Sequence, residues 1–148
     1  MKLSFFAKAV IGSSLLLCLT GLFVACEHTS PTAQQQQQQP PAGLQATLSS
    51  IQDKIFTPKC ATAGCHVPNG IGPMSMRNTT ESFQNLVGVP LNRPRVVRGD
   101  ASTSILYIKV TDNFINAGGS RMPQGGLPLS QAEQDSIKAW INRGAQNN

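Results

Sequence analysis

The segment Cys60-Ala61-Thr62-Ala63-Gly64-Cys65-His66 holds two of the chain's four cysteines and one of its two histidines. The histidine directly follows the second cysteine, so a thiol and an imidazole leave adjacent positions. Ala61, Ala63 and Gly64 between the cysteines are small and can bulge aside without crowding a bound group. Three chemistries use such a set. A Cys60–Cys65 disulfide would close a short loop, and an oxidising compartment favours it. A zinc ion would accept two thiolates and one imidazole. No fourth good ligand is evident for it, because His28 lies in a segment without apolar periodicity.

The third chemistry is covalent attachment of haem. Two thiols add to the vinyl groups at the ring edge, and the histidine after the second cysteine reaches under the ring to the iron; C-x-x-C-H is the usual signature. Here Cys65-His66 keeps the fixed step and the loop before it is two residues longer, so the extra turn is expected to bulge outward. Iron in such sites takes a second axial ligand, commonly a methionine sulfur. Arg121-Met122-Pro123-Gln124-Gly125-Gly126 supplies Met122. Pro123 favours extended backbone at Met122, and the glycines let the chain pass close to a flat ligand. Met74 and Met76 compete for the same role, and any of the three can be ordinary core filler. Arg95, Arg98 and Arg121 are candidates to pair with the haem carboxylates, whose geometry a guanidinium matches; each is otherwise a solvated loop charge.

The flanking sequence reads as helix. Leu44, Leu48, Ile51 and Ile55 repeat at helical spacing, and Thr57-Pro58 is predicted to end that helix, since the residue before proline avoids the helical region. A second helix is predicted over Glu81–Val87 with Thr79 or Thr80 as cap, and a third over Ala101–Val110. The last begins at Ser130-Gln131-Ala132-Glu133, a capping-box pattern, carries Ile137, Trp140 and Ile141 as its apolar stripe, and stops at Gly144. No pair of alternating apolar runs suggests a sheet. The fold class read from this pattern is all-α, a small helical domain with long Gly- and Pro-rich loops. Three of the six phenylalanines lie before residue 26, so the core is thin, and small domains with thin cores often bury a cofactor to complete them.

Upstream, Lys2 and Lys8 precede an uncharged, Leu-rich run from Ala9 to Ala25. A basic start, an apolar middle and a small residue before a cut site describe a secretory signal over residues 1–25; the run is short for a membrane span of about 20 residues. From Cys26 to Gly43 the chain reads as a tether, with Pro31, six glutamines from Gln34 to Gln39 and Pro40-Pro41. Its reach would be roughly 20–25 Å. Beyond residue 25 there are ten basic and seven acidic side chains, a net charge of +3. The basic residues are scattered without interleaved aromatics, so nucleic acid is not an expected partner.

Six segments taken in order resemble class I cytochrome c domains, most of all the planctomycete-type subgroup with its longer cysteine spacing. They are Phe56-Thr57-Pro58, Gly64-Cys65-His66, Arg95-Val96-Val97-Arg98-Gly99-Asp100, Ser104-Ile105-Leu106, Arg121-Met122-Pro123 and Trp140-Ile141-Asn142-Arg143-Gly144-Ala145. The resemblance implies a cytochrome c-like helical domain over residues 44–148 around one haem c. It implies thioethers at Cys60 and Cys65, His66 and Met122 as axial ligands, and first and last helices that cross, with Trp140 on the Leu48/Ile51 face. The function so implied is single-electron transfer between redox protein partners; with both axial positions filled, an enzymatic role is not expected. Phe23-Val24-Ala25-Cys26 resembles the lipobox of bacterial lipoproteins, which implies lipid attachment at Cys26, while Cys18 lies deeper in the apolar run behind Leu17. The implied location is the periplasm or cell surface, membrane-anchored by lipid, and Glu27 after the cysteine points to the outer membrane. The rival readings are a haem-free lipoprotein binding module stapled by a Cys60–Cys65 disulfide, and a subunit of a haem enzyme.

Overall fold

The computed structural model describes residues 41–88 and 95–148. The expected signal over residues 1–25, Cys26 and the tether as far as residue 40 lie outside the described residues. Among those described, the chain is helical and forms no strand; a lone bridge joins Val97 and Asp100.

Helix α1 (Leu48–Ile51) begins at Thr47, whose Oγ1 accepts from the Ser50 N–H at 3.3 Å. The helix expected from Leu44 therefore starts four residues later, with Leu44 half-buried ahead of the cap. The apolar register survives, since Leu48, Ile51 and Ile55 are completely buried. The expected stop at Thr57-Pro58 does not occur. The chain continues as a π-helix (Gln52–Cys60) that contains Pro58, and the Ala61 N–H donates to the Phe56 carbonyl at 2.7 Å. In an α-helix the proline ring meets the carbonyl four residues back. The wider winding moves each carbonyl partner one residue further away and lets the helix pass through the proline. π-Helical segments are rare and recur at functional sites; this one delivers Cys60 as its last residue.

Gln52 is buried at the start of that wide turn, and its amide is fully used. Nε2 donates to the Met76 carbonyl at 2.8 Å and to Thr57 Oγ1 at 3.1 Å, while Oε1 accepts from Ser82 Oγ at 2.6 Å. An unpaired buried amide costs roughly 1–3 kcal/mol. This network therefore joins the π-helix, the segment around Met76 and the next helix in one defined arrangement.

Helix α2 (Thr79–Leu86) is capped by Asn78 rather than by Thr79 or Thr80; its Oδ1 accepts from the Glu81 N–H at 2.9 Å. Hydrogen bonds from Arg77 first, and from Ser75, hold the Glu81 carboxyl down to about 2, against an ordinary 4.5. A depressed carboxyl contributes stability above its unfolded value and loses it as pH falls through the folded one. Melting temperatures of wild type and Glu81→Gln should therefore differ at pH 5 and converge toward about pH 2, with a smaller gap at high salt. A gap that stays constant over this range would show that Glu81 acts by something other than its charge.

Helix α3 (Ile105–Val110) is shorter than the predicted Ala101–Val110. Asp100 is the reason. Its carboxylate accepts from the N–H groups of Ser102 and Thr103 and from both hydroxyls. These bonds hold the backbone in a local turn that competes with helix, so helix begins only after Ser104. A 3-10 turn (Phe114–Ala117) follows. Helix α4 (Gln131–Asn142) has the capping box that its sequence predicts, between Ser130 and Glu133.

The core gathers Leu48, Ile51, Phe56, Ile137, Trp140 and Ile141 in one buried cluster, with α1 packed against α4. Asn148 satisfies the start of α1: its Oδ1 accepts from the Leu48 N–H at 3.0 Å and its carbonyl from the Ser49 N–H at 2.7 Å. A half-buried ion pair adds a second tie. Glu133, 1% exposed, completes the α4 cap and also meets Lys59 Nζ at 2.6 Å. The end of the π-helix is thus fastened to the start of the last helix.

Candidate functional site

The residue after the π-helix turns the chain sharply. The His66 N–H donates to the Cys60 carbonyl at 3.1 Å and the Cys65 N–H to the Thr62 carbonyl at 3.0 Å, closing a small loop. Thr62, Ala63 and Gly64 are exposed and Cys60, Cys65 and His66 are half-buried. The lengthened spacing reaches the surface at Ala63 and Gly64, while Thr62 lies on the wall of the cavity beside Cys60 and Cys65. Both cysteines are free thiols. Burial pushes the Cys60 thiol up to about 12, with Lys59 opposing and Cys65 and Glu133 adding. A thiol so raised is not an activated nucleophile.

His66 is held in one orientation. Its Nδ1 lies 3.2 Å from the Met74 carbonyl, which can only accept, so this bond places the proton on Nδ1. In the neutral ring this tautomer leaves the lone pair that a metal ligand needs on Nε2. Gly72 presses against the ring: a Cβ there would lie 2.5 Å from His66 Nδ1. The Met76 N–H closes the segment onto the His66 carbonyl at 2.9 Å. Sequence reading did not find these supports; Gly72-Pro73 six residues after the histidine is the signal they leave.

Cys60, Cys65, His66, Met74, Met76 and Met122 all line one cavity of about 1090 Å³. Ligand pockets occupy roughly 300–1,000 Å³, so this one lies at the upper end of that range. Most of its wall is apolar, with Leu86, Ile105, Leu106 and Val110 among the contributors. Among the described residues, no three His, Cys, Asp or Glu side chains converge as ligands of a single ion. The two thiols and the imidazole thus share one cavity.

The three methionines enter differently. Met76 is 2% exposed and belongs to the core. Met74 is half-buried on the segment whose carbonyl holds His66. Met122 reaches the cavity from a separate segment, its N–H bonded to the Lys109 carbonyl of α3 at 2.8 Å; the Met122–Pro123 peptide is cis. Of the three candidate arginines, only Arg95 lines the cavity, where it also donates to the Asn85 carbonyl at 2.8 Å. Arg98 instead donates to the carbonyls of Gly144 and Ala145 beyond α4 and lies over the Phe83 ring. Arg121 pairs with Asp112 at 2.8 Å. Their sequence pattern marks them as loop cations, but the end of a helix and a carboxylate take them.

No family model, curated protein or solved structure matches the chain.

Proposed function

We propose that the chain carries one covalently attached haem and passes single electrons between protein partners outside the cytoplasm. The observation that carries this reading is the meeting of two thiols, an imidazole with a bare Nε2 and a methionine from another segment on one apolar cavity of cofactor size. The donor set fits the group. Cys60 and Cys65 would form the thioethers, His66 Nε2 and Met122 Sδ would be the axial ligands, and Arg95 is placed to pair with a carboxylate of the haem. Bound haem supplies iron that cycles between ferric and ferrous. Methionine, a soft ligand, favours the reduced form, and two protein ligands leave no position for a substrate.

Met74 and Met76 share a short segment with the backbone supports of His66, whereas Met122 comes to the cavity from a separate segment fastened to α3. Met122 would therefore be the methionine that holds the iron together with His66. The finer fold assignment, a cytochrome c-like domain over residues 44–148, rests on the same residues and on the packing of α1 against α4. Export by a signal over residues 1–25, lipid on Cys26 and an outer-membrane address complete the proposal; acyl chains bury about 0.8 kcal/mol per methylene, and more than one gives stable anchoring.

Expression with cytochrome c maturation enzymes is expected to give protein whose haem stays bound through acid-acetone extraction and whose reduced spectrum is that of a low-spin haem. Free extraction of the haem, or protein without haem and with Cys60 joined to Cys65, would replace this reading with the stapled binding module.

A further inference from the structure

Resting on the haem reading above, we propose that Lys109 is the positioning residue for Met122, a strap that holds the 118–122 segment on α3 and so keeps the sulfur at the cavity. The segment needs one. It follows the 3-10 turn and has neither helix nor strand, and residues 118–120 and 124–127 are exposed. A methionine on such a backbone has no fixed place of its own.

Lys109 supplies three of the bonds that fix it. Its Nζ donates to the Gly118 carbonyl at 2.6 Å and to the Ser120 carbonyl, and its own carbonyl accepts from the Met122 N–H at 2.8 Å. Gly118 and Gly119 have φ of 78° and 67°, a left-handed pair that ordinary residues avoid. That path brings the carbonyls of residues 118 and 120 to one ammonium. A charged donor on a carbonyl makes a stronger bond than a neutral one. The nearby Arg121–Asp112 pair is a second tie at the surface, with Asp112 95% exposed and screened by water, and it holds Arg121 alone whereas Lys109 reaches residues 118, 120 and 122. Lys109 also lines the cavity, so the same residue forms part of the wall and holds the segment that brings in Met122.

The test uses haem-loaded wild type, Lys109→Leu, Lys109→Arg and Met122→Ala. Lys109→Leu keeps part of the apolar stem and removes the donors without adding a sulfur to the cavity wall. Deuterium exchange across residues 118–122 and imidazole binding to the ferric protein should both become roughly tenfold faster, as loss of a charge-assisted bond predicts, with haem still attached. Lys109→Arg should recover much of both. Wild-type rates in Lys109→Leu, beside immediate imidazole binding by Met122→Ala, overturn the strap and leave Met122 as ligand. Unchanged imidazole binding in Met122→Ala overturns both. Should Lys109→Leu fail to fold, exchange in the wild type decides. The strap requires the Met122 N–H to be protected at least about tenfold over the amides of residues 124–127, and equal exchange overturns it.

Discussion

Met122→Ala is expected to keep its haem, lose the weak sulfur-to-iron charge-transfer band of the ferric protein, and show a reduction potential lower by on the order of 100 mV. On the proposed haem reading, attachment would depend on Cys60, Cys65 and His66, none of which the substitution touches. What goes is the soft ligand that favours ferrous iron. For one electron, each ~59 mV is a tenfold change in equilibrium, so this fall would change which partners can reduce the protein. Added imidazole or cyanide should bind readily at the freed position. The other methionines are the controls. Met76, 2% exposed in the core, should cost about 2–5 kcal/mol of stability as alanine and keep the band. Met74→Ala should keep it too, with a smaller loss. If Met74→Ala or Met76→Ala loses the band while Met122→Ala retains it, the distal ligand has been misassigned and the haem reading survives.

The double variant Cys60→Ser/Cys65→Ser, purified without haem, is expected to lose its unique packing while keeping much of its helix. Domains of this size are stable by only about 5–15 kcal/mol. A core leucine cut to alanine already costs about 2.7–5 kcal/mol through the small void it leaves. Here a cavity of about 1090 Å³ separates the His66 segment from α3, and burial of its apolar walls is worth roughly 25 cal/mol per Å² covered. The chain has one tryptophan, Trp140, in the centre of the core. Near-ultraviolet circular dichroism should therefore report its loss of fixed surroundings directly, while the far-ultraviolet helix signal persists. Cooperative melting at the temperature of the haem-loaded protein would mean that the cavity needs no occupant for the fold.

The parts legible in sequence are those written locally. Ser130 and Glu133 form the predicted cap, and Leu48, Ile51 and Ile55 keep the predicted face. Cys60, Cys65, His66 and Met122, singled out by their residue types and spacing, line one cavity. Besides the later start of α1 at its Thr47 cap, three boundaries differ from expectation, each because a side chain or winding competes with local propensity. Asp100 captures the amides that would have begun α3, Asn78 caps α2 in place of a threonine, and a π-winding carries the first helix through Pro58. Long-range partners leave still less trace. The Gln52 network, the Gly72 wall behind His66 and the Lys109 strap each join segments whose meeting no periodicity encodes, and the pairing of Arg98 and Arg121 away from the cavity is equally silent in the sequence.

The Lys59–Glu133 pair also ties the two ends of the domain together. Its residues are 74 positions apart, and Cys60 directly follows Lys59. A chain cut before α4 would leave Lys59 without its carboxylate and the end of the π-helix without its fastening. The position of Cys60 is therefore a property of the whole domain and not of the short segment that contains it.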